Sequence, residues 1–108
     1  MISQETYFAL STPNGRSATA TIRLSGPKSK KTILKFFRNK DKNLKPGLNH
    51  VVSLYNKNND LIDKCVVVYY KSPKSFTGDD MVEIHTHGNP VIVETISREL
   101  LGLGIRHA

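Results

Sequence analysis

VEIHTHGNPVIVETISRELLGL (Val82–Leu103) changes its hydrophobic period half-way along, and the fold class follows from that change. From Val82 to His87 the residues alternate. Val82, Ile84 and Thr86 share one side, and Glu83, His85 and His87 share the other, which is the pattern of a half-buried strand. Gly88-Asn89 breaks the strand, and Asn89 can cap a helix whose first residue is Pro90. Apolar residues then recur at helical spacing: Ile92 or Val93, Ile96, Leu100 and Leu103. Glu94 and Arg98 form a favourable i,i+4 pair, and Gly102 and Gly104 signal the helix end.

Upstream, the same alternation recurs. Thr6 to Leu10 reads as a short strand, followed by a turn at Pro13-Asn14-Gly15. In Ala18 to Leu24, Ala18, Ala20, Ile22 and Leu24 face one way and Thr19, Thr21 and Arg23 the other. Ser25-Gly26-Pro27 ends that strand, and a helix is expected over Lys28 to Arg38, with Ile33, Leu34 and Phe37 as its apolar stripe and Phe36 at the edge. Asn39 to Asn49 is basic and turn-rich. His50 to Tyr55 and Leu61 to Tyr70 read as strands joined by a hairpin turn at Asn58-Asn59-Asp60. Val66-Val67-Val68 is too continuous for a one-sided edge strand and belongs inside the sheet. Ser72 to Asp80 is a loop, and Ile105 to Ala108 begins a last strand. The expected fold class is α/β (α+β): a mixed sheet with two main helices packed against it.

The 108 residues suit a single domain spanning 1–108, and 38% hydrophobic residues suffice for a modest core. Sixteen Lys and Arg against nine Asp and Glu leave a net charge of +7, which favours anionic partners without choosing among them. Much of the excess runs from Lys28 through Lys45, either a solvated face or a contact for a polyanion. The single Cys65 excludes an intrachain disulfide and, sitting in an apolar run, is expected to be a buried, unreactive thiol. No apolar stretch has the length of a membrane span, and the start lacks a secretory signal pattern. The expectation is a cytoplasmic protein with no membrane partner.

Glu83, His85 and His87 could hold a cation, but a one-residue spacing without a good third ligand is weak, and no metal site is assigned. Asp79, Asp80 and Glu83 read as turn capping plus one ligand-facing acid. No nucleophile elbow, phosphate-binding loop or dinucleotide fingerprint is present, so no catalytic residue is assigned. Arg23 stands out on the polar side of a small-residue strand, where Thr19 and Thr21 leave room above the sheet. A planar guanidinium there suits a carboxylate or ring amide, and Glu83 could accept from a heterocycle's N–H and NH2 donors. A plain Arg23–Glu83 salt bridge is the alternative.

Two segments, ALSTPNGRSATATIRLSGP (Ala9–Pro27) and SPKSFTGDDMVEIHTHGNP (Ser72–Pro90), together resemble the amino-terminal domain of the TrmE/MnmE family of tRNA-modification GTPases. The resemblance implies a fold similar to the folate-binding domain of aminomethyltransferase-like proteins. It implies a site for 5-formyl-tetrahydrofolate at Arg23 and Glu83, with Thr19 and Thr21 beside Arg23, the loop residues Phe76, Thr77 and Gly78, and the His87-Gly88 pair. It also implies a homodimer formed through this domain. The longer family protein carries helical and GTPase domains that use GTP, Mg2+ and K+. With a GidA/MnmG-type flavoprotein it modifies carbon 5 of a wobble uridine in tRNA. The chain is accordingly expected to be truncated relative to the family domain, lacking a further basic folate contact, and to be inactive as a GTPase alone. Asp79 stands where the family has glutamate, Asn89 replaces a glycine, and Thr19 and Thr21 are bulkier than the family's glycines. Three alternatives stay open: a dimerisation module with a degenerate pocket, a basic tRNA-contacting domain, and a metal-dependent enzyme at Glu83, His85 and His87.

Overall fold

In the computed structural model, residues 5–11, 19–38, 43–73, 75 and 78–108 are described. The elements are β1 (Tyr7–Ser11), β2 (Thr19–Ser25), α1 (Ser29–Leu34), β3 (Asn49–Tyr55), β4 (Leu61–Tyr70), β5 (Met81–His87), α2 (Pro90–Gly102) and β6 (Arg106–His107). The strands form one open six-stranded sheet in the order β3-β4-β5-β2-β1-β6. Every neighbouring pair is antiparallel except β1 and β6, so the sheet is mixed.

Period-2 alternation gives the sheet two unlike faces. Phe8, Ile22, Leu24, Val52, Leu54, Cys65, Val67, Tyr69, Val82 and Ile84 all point to one face, where Ile33 of α1 and Ile96 and Leu100 of α2 close the core. The other face carries Thr19, Thr21, Arg23, Glu83 and His85. Register fixes their neighbours: Arg23 lies opposite Glu83, Thr21 opposite His85, and Thr19 opposite His87. The valine run of β4 has strands on both sides, and Val67 and Val68 are buried on opposite faces, as its continuous hydrophobicity predicts.

Helix α2 begins as the sequence predicts. Asn89 is extended (φ −81°, ψ 122°), its side chain accepts from the Val91 N–H at 2.8 Å, and Pro90 takes the first helical position. Asn89→Ala is expected to cost about 1 kcal/mol, seen as a lowered thermal midpoint with no change in the folded-state circular dichroism. Leu103 departs from the predicted stripe: the helix ends at Gly102, and Leu103 is exposed.

Helix α1 is shorter than the predicted Lys28–Arg38. It ends at Leu34, and Lys35, Phe36 and Phe37 donate to the carbonyls three residues back. This tighter winding swings both phenylalanines inward, so Phe36 is core rather than edge. The Phe36 carbonyl also accepts from the Tyr55 N–H, tying the turn to β3. Leu44, within the basic stretch read as surface, is fully buried.

Candidate functional site

The polar face of β2, β5 and β4 converges on one carboxylate. Glu83 sits in the middle of β5 between Arg23 on β2 and Val68 on β4. Arg23 Nε donates to Glu83 Oε2 at 2.8 Å, and Tyr70 donates its hydroxyl to Oε1 at 3.3 Å. His85 Nε2 stands 3.4 Å from the same Oε1, and its Nδ1 is 3.2 Å from Thr21 Oγ1. Glu83 is largely covered (13% of its side chain exposed), whereas Arg23 and His85 are each 37% exposed. The acid is thus a partly desolvated acceptor ringed by donors that open to solvent. Burial, then the neighbouring Glu83 charge and the hydrogen bond to it, push the Tyr70 phenol up, so it stays protonated as a donor.

Of the residues predicted from sequence, Arg23, Glu83 and Thr21 come together here, and Thr19 lies further along the same face. The salt-bridge alternative for Arg23 and Glu83 is realised in this structure. His87 is turned elsewhere. Its backbone N–H donates to Asp63 Oδ2 at 3.0 Å and its Nδ1 lies 2.9 Å from Oδ1, so the pair ties the end of β5 to β4. Gly88 follows directly after β5. Gly78, at φ 83°, lies in the loop, where its carbonyl accepts from Ser72 Oγ. Phe76 and Thr77 lie outside the described residues. The Ser72 N–H donates to Asp80 Oδ1 at 2.8 Å, so Asp80 caps the loop. Among the described residues, no group of three or more His, Cys, Asp and Glu is placed to hold a metal ion.

Tyr70 is the site residue that sequence reasoning missed. It shares the parity of Val66 and Val68, but an unbroken apolar run from Cys65 to Tyr70 hides which parity meets Glu83. Tyr70 also lines a cavity of about 450 Å3 with Pro46, Gly47, Lys71, Ser72 and Pro73. The volume is within the range of small-molecule sites. The basic stretch, in contrast, is divided. Arg38 stacks on Tyr55 (4.1 Å) and binds Asn59, and Lys30 lies 5.2 Å from the Tyr69 ring centroid. Lys40 and Lys42 lie outside the described residues.

Residues 6–108 match the family model described as GTP-binding protein TrmE N-terminus. The chain is 40% identical over 107 residues to the tRNA modification GTPase MnmE of Legionella pneumophila (strain Paris), covering 99% of this chain and 24% of that protein. It is 43% identical over 111 residues to the protein of the same name from Fervidobacterium nodosum, covering 99% and 24%. With that of Ehrlichia chaffeensis it shares 44% identity over 95 residues, covering 88% and 21%. The chain therefore spans about a quarter of the length of these relatives.

Proposed function

The chain belongs to the family of TrmE amino-terminal domains, and from that premise we propose that it binds a reduced folate, 5-formyl-tetrahydrofolate, on the polar face of its sheet and pairs with a second copy. The observation that carries the folate reading is the convergence of Arg23, Glu83 and Tyr70 from three strands on one partly buried carboxylate. A pterin presents adjacent N–H and NH2 donors along one edge, which a carboxylate accepts in parallel. Its exocyclic oxygen or formyl group suits the guanidinium of Arg23. The cavity beside Tyr70 offers space for the rest of the ligand. A kinship of fold with aminomethyltransferase-like folate domains is part of the same proposal.

For the longer protein we propose GTP hydrolysis with Mg2+ and K+, and modification of a tRNA wobble uridine with a flavoprotein partner, in the cytoplasm. The relatives' name, tRNA modification GTPase, supports this reading.

The test is calorimetric titration of 5-formyl-tetrahydrofolate into the chain. One-to-one binding is expected, weakened roughly 10- to 100-fold by Arg23→Ala and by Glu83→Ala, as for loss of a charge-assisted hydrogen bond. The observed Arg23–Glu83 pair favours one rival, a dimerisation module in which the two residues only satisfy each other. A folded dimer that gives no heat with the ligand would establish the rival.

A further inference from the structure

Glu83 has two carboxylate oxygens and about four lone-pair positions. Arg23 takes one on Oε2 and the Tyr70 hydroxyl takes one on Oε1. His85 Nε2 stands at the other side of Oε1. A ligand edge with two parallel donors needs one open position on each oxygen. Among the described residues Oε2 carries the Arg23 bond alone, whereas on Oε1 the second position is where His85 sits. We propose that Tyr70 and His85 govern the acceptor capacity of Glu83: Tyr70 is a positioning residue that stays in place, and His85 is the specificity-determining residue that must yield to the ligand.

The distances order the three contacts. Arg23 at 2.8 Å is a full charge-assisted bond, whereas Tyr70 at 3.3 Å is a long hydrogen bond past the usual O–H···O range and His85 at 3.4 Å stands past the usual N–H···O range. A neutral His85 therefore holds Oε1 weakly. It can leave while keeping Thr21, whose Oγ1 is 3.2 Å from its other nitrogen. A protonated His85 is different, because it becomes an ion-pair partner of the carboxylate and competes with the ligand for Oε1. Among the described residues, the charged and titratable groups around it are Glu83 and His87 on its own strand, Arg23 on β2, and Lys64 and Tyr70 on β4. His87 is engaged by Asp63, and Arg23 by Glu83. Acid conditions should thus close the site without unfolding it.

This inference rests on the folate reading, and the experiment separates the two. 5-Formyl-tetrahydrofolate is titrated into the wild-type chain, Tyr70→Phe and His85→Gln at pH 8.0 and pH 5.5, with thermal melts to show that each is folded. The wild type is expected to bind about tenfold more weakly at pH 5.5, the cost of displacing a charge-assisted contact. Tyr70→Phe keeps the ring but loses the donor, and should bind about tenfold more weakly at both pH values while keeping the pH effect. His85→Gln should bind alike at both. A pH effect that persists in folded His85→Gln, or wild-type affinity in Tyr70→Phe, overturns the inference and leaves the folate reading standing. Absence of binding by the folded wild type at pH 8.0 overturns both.

Discussion

Gly26→Ala is expected to lower stability by roughly 2–6 kcal/mol, a large share of the roughly 5–15 kcal/mol that holds a domain folded. Gly26 has φ +136°, a backbone conformation that L side chains rarely adopt. Holding another residue there costs about 1–3 kcal/mol. The added methyl would also lie 2.6 Å from the Glu5 carbonyl oxygen and 2.7 Å from Thr6 Cα. Both are backbone atoms leading into β1, so relief requires the strand to shift, at a further cost of about 1–3 kcal/mol for an overpacked site. The shift cannot stay local. The Gly26 N–H donates to the Asp80 carbonyl at 2.8 Å, and its own carbonyl accepts from the Ser29 N–H and hydroxyl. One residue therefore joins the end of β2 to the start of α1 and to the entry of β5. For a chain of this length a loss in the middle of that range lowers the thermal midpoint by about 15 °C or more. A differential scanning experiment reads it directly, and a midpoint within a few degrees of wild type would mean that Gly26 is not fixed as described.

The same residue shows what could be read from sequence. Ser25-Gly26-Pro27 marks a turn by composition, but nothing local reveals that the backbone of Glu5 and Thr6, leading into β1, passes against it. Strands with one wet face were legible because their alternation reports burial directly, as in Thr19–Leu24 and Val82–His87. The Arg23–Glu83 register was within reach for the same reason, since two polar residues on alternating strands of a small sheet have few places to go. Tyr70 was hidden because Cys65 to Tyr70 is an unbroken apolar and aromatic run whose period carries no phase. The end of α1 was hidden because Phe36 and Phe37 fit a helical stripe, and only their packing against β3 draws the chain into a tighter turn. The placement of His87 on Asp63 depends on a partner 24 residues away, beyond any motif.

Alkaline conditions should expose the second large effect, through Cys65. Burial, with a smaller contribution from the nearby Asp63 charge, pushes this thiol up from an ordinary 9.0 to about 12. Its side chain lies in the core beside Val67 and Leu54, and ionising it there would place an unpaired charge among hydrocarbon. The folded state therefore keeps the proton over a range where the unfolded state has lost it. With the folded value raised, stability is fully present below pH 9 and falls as pH rises from there toward 12. Three units correspond to about 4 kcal/mol over the window, as an order of magnitude. Tyr69 and Tyr70 are also raised, chiefly by burial, and act with the same sign at the upper end. Denaturant melts at pH 8.0, 9.5 and 11 should show the decline, and Cys65→Ala should flatten the part that begins near pH 9 while starting from a lower baseline. A wild-type curve as flat as that of Cys65→Ala would show that the thiol is not held in the core. In the folded protein at pH 8 the thiolate fraction is about a thousandfold below that of an ordinary cysteine, so a disulfide reagent should label Cys65 through the opened molecules, in proportion to their population. Gly26→Ala, by populating the open state, should raise that labelling rate, which links the two measurements through one equilibrium.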